Sequence, residues 1–359
     1  MKARRRQAFK GRGAVSNPAG RFESVDHEVF DDGWGSAEEE PEAPATELRA
    51  DPARTVITRN RSPDIPFEAS INPYRGCEHA CPYCFARPSH SYLDLSPGLD
   101  FETRIFYKGN AAERLEAELR KPGYRPTPIS LGINTDAYQP AERRLRVTRS
   151  LLEVLWAYRH PVSLITKSAL ITRDLDILGP MAEHGLVSAA VSVTSLDPDI
   201  KRRLEPRTAG PAARLRTIRA LADAGVPTAV MAAPVIPAIT DHELEAILAA
   251  AAEAGARGAG YVLLRLPHEL KEVFRDWLET HYPDRAEHVM SLVRQSRGGK
   301  DYDAAWGTRM TGTGVFADMI AQRFRAASRR HGLDRGDRAP LTTALFRVPP
   351  RSGDQMSLL

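Results

Sequence analysis

The three cysteines of the chain, Cys77, Cys81 and Cys84, fall within eight residues of one another in the stretch INPYRGCEHACPYCFARPSH (71–90). Three thiolates spaced C-x3-C-x2-C on one loop suit three irons of a [4Fe–4S] cluster, whereas a closed electron-transfer cluster takes four cysteines. One iron is then left open to a substrate or cosubstrate. Tyr83, directly before the last cysteine, sets a flat side chain beside whatever approaches that iron. A zinc site completed by His79 or His90 is the competing reading, but structural zinc usually draws on two separated ligand pairs. A disulfide fits less well, because three cysteines cannot all pair and no export signal precedes them.

Such a loop needs a scaffold, and 359 residues with 42% hydrophobic content suffice for one large α/β domain or two smaller ones. No apolar run approaches the roughly 18 residues of a membrane span, and residues 1–20 lack the apolar stretch of a secretory signal. The expectation is a reducing cytoplasm and no membrane partner. A net charge of +4 permits a nucleic-acid partner without requiring one.

Residues 1–52 read as a disordered arm: a basic run (Lys2, Arg4, Arg5, Arg6, Lys10, Arg12) precedes the acidic AEEEPEAPATE, with little to bury. From 53 to 267 strands and helices alternate. Residues 69–75 form a short strand into the cysteine loop, followed by strands at 129–134, 162–167, 187–194, 228–234 and 261–266. Helical patterns fall at 110–120, 141–158, 170–184, 211–224 and 242–254, the last two closed by Gly225 and Gly255. Six βα units predict a mostly parallel sheet. Chemistry then belongs at the C-terminal ends of its strands, where Asn134, Asp136, Tyr138, Lys167, Ser192, Thr194 and Ser195 gather.

The cysteine spacing with its aromatic resembles the radical S-adenosylmethionine (SAM) superfamily. The phrases GINTDAYQPAE, LITKSALITRDLDIL and SVTSLDPDIKRRLEPRTAGPAARLRTIRALADAGVP are similar to the branch containing spore photoproduct lyase and DNA repair photolyase-like proteins. The resemblance implies an incomplete (β/α)6 barrel. It implies a [4Fe–4S] cluster on Cys77, Cys81 and Cys84, with SAM chelating the open iron and cleaved reductively to a 5′-deoxyadenosyl radical by an electron from an external donor. By position it marks Lys167 and Ser192 or Ser195 as candidate contacts to the SAM carboxylate, Asn134 and Asp136 as facing its amine or the substrate, and Ser192 and Thr194 as suiting the ribose. Glu205, Arg207 and Arg214 recur in the family phrase without a role, a buried Glu–Arg pair being the default. One departure stands out. Spore photoproduct lyase carries a further cysteine at the end of its second strand that returns a hydrogen atom, and this chain reads Ile133-Asn134-Thr135 there. Tyr138 is the remaining candidate hydrogen-atom donor, and thymine-dimer reversal is not expected.

Residues 268–346 read as a helical C-terminal extension with helices at 269–280, 284–297 and 315–331. Its Gly298-Gly299-Lys300 and Gly312-Thr313-Gly314 turns, with Arg294, Arg297 and Arg309 and the flat Tyr302 and Trp306, suggest a phosphate-and-stacking surface for single strands. Residues 347–359 read as a flexible tail. Its end, Gln355-Met356-Ser357-Leu358-Leu359, resembles the short peptide by which bacterial repair and replication proteins bind the DNA sliding clamp, with Gln355, Leu358 and Leu359 as anchors. The sequence reading is therefore a radical SAM enzyme acting on an unidentified substrate, nucleic acid first. Radical modification of a protein, peptide or small molecule is the alternative enzymatic reading, and an iron–sulfur sensor or adaptor the non-catalytic one.

Overall fold

Six strands run parallel in one sheet, and their order in space is their order in the chain. In the computed structural model, which describes residues 7–23, 44–334 and 340–350, they are β1 (Ala69–Ile71), β2 (Ile129–Leu131), β3 (Val162–Thr166), β4 (Val187–Ser192), β5 (Thr228–Val235) and β6 (Gly258–Leu263). Thr58–Arg59 adds an antiparallel strand beside β1. Among the described residues β1 and β6 do not pair, so the sheet stays open, in keeping with an incomplete (β/α)6 architecture.

Parallel neighbours cannot be joined by a tight turn and require a crossover. These are α1 (Ala111–Leu119), α2 (Val147–Ala157), α3 (Leu175–Glu183), α4 (Pro211–Asp223) and α5 (Leu244–Glu253). Helix α2 shows the logic: Val147, Leu151, Leu152 and Leu155 are buried, a stripe at helical spacing that covers the sheet while the other face meets water. Gly225 and Gly255 follow α4 and α5 with φ of 77° and 99°, the left-handed conformation that ends a helix cheaply only at glycine. Four strands differ from expectation: β1 ends at Ile71, with Tyr74 and Arg75 pairing instead with Tyr107 and Phe106, and β4 ends at Ser192. β2 stops at Leu131 because Gly132 turns the chain at φ 78°; β6 begins at Gly258, where Gly-Ala-Gly carries no apolar signal.

The amino-terminal expectation needs correction. Within the stretch read as a disordered arm, residues 7–23 and 44–50 pack on the molecule: Ala14, Val15 and Ser16 are buried, and Glu47–Ala50 pairs in parallel with Arg104–Tyr107. Arg12 donates to the carbonyl of Glu102 and to Thr46 Oγ1, both at 3.1 Å, so it serves the fold. This segment is held by backbone and ionic contacts, for which apolar content is no guide.

The extension forms α6 (Leu270–His281), α7 (Ala286–Gln295) and α8 (Val315–Arg330). Helix α8 buries Ala317, Ile320 and Ala327, and Phe324 sits 4.7 Å from Tyr261 of the edge strand β6. Two arginines of the expected phosphate surface, Arg297 and Arg309, are used internally. Arg297 is 2% exposed and donates to the carbonyls of Leu263, Leu264, Thr308 and Arg309. Arg309 pairs with Asp64 at 2.6 Å, and Arg294 with Glu287 and Asp301. Of the stacking candidates, Trp306 remains open to solvent.

Residues 340–350, divided in expectation between extension and tail, run in coil beneath the sheet. Phe346 packs on Tyr124, Tyr158 and His160, and the Arg347 amide donates to the Tyr158 carbonyl at 3.0 Å. They cover the end from which β3 begins. Gln355, Leu358 and Leu359 lie outside the described residues. No helix among the described residues is long and apolar enough to cross a membrane.

Candidate functional site

The cysteine loop leaves the C-terminal end of β1 through Tyr74–Arg75 and closes three successive turns. The carbonyls of Cys77, Cys81 and Cys84 accept from the amides of Ala80, Cys84 and Arg87 at 3.3, 3.2 and 3.1 Å. Cys77 and Cys81 are buried and Cys84 half-buried. Burial pushes all three thiols above the ordinary range, and for Cys77 the neighbouring Asp136, Cys84 and Cys81 push further. Three buried thiols on one loop ionise together only when positive charge shares the site, which is what a metal centre supplies. Among the described residues no three His, Cys, Asp or Glu side chains are drawn together tightly enough to share one metal ion. A cubane asks for something else, since each thiolate takes a different iron. The donor set fits such a cluster.

Two segments grip the loop. From the β2 end, Gln139 accepts from the Glu78 amide at 2.9 Å and donates to the Gly76 carbonyl at 3.1 Å. Asp136 lies 3.3 Å from His79 Nδ1 and accepts from the Lys167 amide, Thr166 Oγ1 and the Tyr138 amide. Burial alone would raise its pKa, but His79 and these hydrogen bonds outweigh burial and hold it at about 2. From the loop after β4, Arg207 pairs with Glu78 at 2.9 Å. Beside it the buried Glu205 accepts from the Tyr83 hydroxyl, Thr194 Oγ1 and Arg214. Burial again opposes ionisation, and Arg214, Lys167 and the hydrogen bonds overcome it to leave Glu205 at about 2. The default Glu–Arg pair is thus present, and it reaches the cysteine loop itself.

The residues expected from sequence divide into two groups. Lys167 stands at the site: its ammonium lies 5.9 Å from the Tyr83 ring centre, and its charge works to lower the thiol pKa values of Cys81 and Cys84. Asn134 is half-buried, its backbone amide donating to Asn72 Oδ1 at 2.8 Å. Thr194, Ser195 and Asp136 have their oxygens engaged inside the protein, Thr194 with Glu205 and Ser195 with Glu243, each at 2.7 Å. Ser192 is buried, and its carbonyl accepts from Arg214.

Tyr138 departs most from expectation. It is 1% exposed in the main core, and after burial the charges of Asp174 and Glu142 push its phenol up. That carboxylate group is bound by Arg149 and Arg173 and belongs to the helical layer, so the Tyr138 phenol lies against that layer. Sequence reasoning missed Gln139, Glu78, Arg87 and Glu102. Gln139 is uncharged, and Glu78, Arg87 and Glu102 stand in polar stretches, so no local pattern marked them.

Four similarities accompany this geometry. The family model described as the Radical SAM superfamily matches residues 71–251, half of the chain. An uncharacterized protein of Mycobacterium tuberculosis is 41% identical over 233 residues, covering 64% of this chain and 68% of its own; one of Methanocaldococcus jannaschii is 24% identical over 227 residues, covering 63% and 81%. Among solved structures, spore photoproduct lyase complexed with dinucleoside spore photoproduct superposes with a TM-score of 0.57 at 17% identity, over 80% of each chain. At that identity the likeness is one of fold.

Proposed function

The chain belongs to the radical SAM superfamily, whose members use a [4Fe–4S] cluster and SAM, and on this premise we propose that Cys77, Cys81 and Cys84 hold the cluster and Lys167 receives the SAM carboxylate. When bound, cluster and SAM supply reductive cleavage of the SAM sulfonium. The chain's own residues hold the loop and keep water from it. The observation that carries this reading is the convergence of Lys167, Tyr83 and the thiols at the C-terminal edge of the sheet. The test is 5′-deoxyadenosine release after chemical reduction of reconstituted protein with SAM. A protein with a full cluster and bound SAM that releases none would be a sensor or adaptor.

The substrate reading is nucleic acid. It is supported by the fold shared with spore photoproduct lyase, which has been seen with a dinucleoside lesion. Reversal of that lesion is not proposed, since every cysteine of the chain stands in the cluster loop and Tyr138 is buried elsewhere. DNA oligonucleotides are expected to accelerate 5′-deoxyadenosine release or couple it to a product; acceleration by peptides alone would move the substrate to protein. The tail residues Gln355, Leu358 and Leu359 would tether the enzyme to a sliding clamp. A tail peptide is expected to bind the clamp and to lose binding when Gln355 and Leu358 become Ala.

A further inference from the structure

The segment before the first strand reaches the cysteine loop from outside, at Ala80, Cys81 and Pro82. The amides of Gly13 and Ala14 donate to the two carboxylate oxygens of Glu102 at 3.0 and 2.7 Å. Glu102 forms an ion pair with Arg87, and both side chains are fully buried. Arg87 in turn donates through Nε to the Cys81 carbonyl at 2.8 Å and through Nη1 to the carbonyls of Pro97 and Gly98 at 3.0 and 2.8 Å. One buried guanidinium and one buried carboxylate therefore join residues 13–14 to a cysteine carbonyl. The contact is close. A Cβ at Gly13 would lie 1.7 Å from the Ala80 carbonyl oxygen and 3.0 Å from Pro82 Cδ, so only glycine lets the segment seat. Ala14, 0% exposed, packs in one cluster with Cys81 and Tyr83. Further on, Ser16 Oγ donates to Asp276 of α6 at 2.7 Å.

We propose that residues 13–16 are a strap that seals the outer side of the cysteine loop, with Glu102 and Arg87 as the positioning residues that hold strap and loop together. The proposal rests on the reading that this loop carries the cluster. Reagents reach a buried group only through local opening, so their rate reports how firmly the cover is held. The strap then sets how fast oxidants and chelators reach the cysteine ligands.

The test uses the full-length protein and Gly13→Val, which blocks seating without touching the ion pair. Gly210→Ala, whose added Cβ meets open space, is the control. In metal-free protein, N-ethylmaleimide labelling mapped by fragment-ion mass spectrometry should be about tenfold faster at Cys81 in Gly13→Val than in wild type or control. In reconstituted protein, bleaching of the cluster absorbance by a chelator should accelerate in the same order, with initial iron content unchanged. Wild-type rates in a folded Gly13→Val would overturn the proposal. If that variant does not fold, a chain lacking residues 2–20 and the variant Glu102→Gln are measured in its place, with the same two outcomes. A wild-type protein that takes up no iron would remove the cluster reading instead, and the labelling rates would still decide on the strap.

Discussion

Tyr83, the residue before Cys84, donates its hydroxyl to Glu205, a buried carboxylate 122 residues further along the chain. Glu205 is also bound by Arg214, which reaches back to the Ser192 carbonyl at the end of β4. The aromatic ring beside the cysteines is therefore fixed by the segment that follows β4, an interior strand of the sheet. Its orientation is a property of the whole fold.

Tyr83→Phe keeps the ring and removes that hydrogen bond to a charged acceptor. Loss of about 1.5–3 kcal/mol of stability is expected, read from urea unfolding of the metal-free protein, with iron uptake retained. An unchanged unfolding midpoint would mean that Glu205 is satisfied without Tyr83.

Acid sensitivity follows from Asp136 and Glu205, both held at about 2 when folded against ordinary values of 3.8 and 4.5. Their folded pKa values are depressed, so the stabilisation is complete above the unfolded values. As pH falls below about 4.5 the unfolded chain takes up protons first, and stability drains until pH passes about 2. Urea midpoints measured between about pH 6 and pH 3 should fall steeply in wild type and less steeply in Asp136→Asn and Glu205→Gln. Equal slopes in all three proteins would contradict the assignment.

Each of Cys77→Ala, Cys81→Ala and Cys84→Ala should abolish stable [4Fe–4S] loading, because three thiolates are the minimum that holds a site-differentiated cluster. Iron analysis and absorbance of anaerobically reconstituted protein check this. Stoichiometric zinc without iron in the wild type would refute it.

Lys167→Met should weaken SAM binding by about 1.5–3 kcal/mol, the range for a hydrogen bond to a charged group, without changing iron content. Titration of the reconstituted protein with SAM gives the number. Unaltered affinity would leave Lys167 as a neighbour of Tyr83 and nothing more.

Arg297→Met removes the donor shared by four carbonyls and should destabilise the fold by about 3 kcal/mol or more while leaving any affinity for oligonucleotides unchanged. Weakened oligonucleotide binding by a variant that stays folded would restore the phosphate surface first read in this segment.

The cysteine loop was legible in the sequence because its chemistry is local: three thiols within eight residues can meet one cofactor whatever the rest of the chain does. The six parallel strands were legible because hydrophobic periodicity is also short-range. The place of Lys167 beside Tyr83 was legible for a related reason, since strand ends inherit their place from the strands. What holds the loop was not legible. Gln139 on Gly76, Arg207 on Glu78, Glu205 on Tyr83 and Glu102 on Gly13 join residues 63 to 129 positions apart, or 89 in the last case, and no local pattern encodes such partners. Thr194 and Ser195 looked like ligand contacts at strand ends, and only packing turned their hydroxyls to Glu205 and Glu243. The strap was read as solvated for the same reason. Its anchors are backbone amides on a distant carboxylate, and backbone donors carry no residue signature; only the tertiary structure brings Glu102 beneath them.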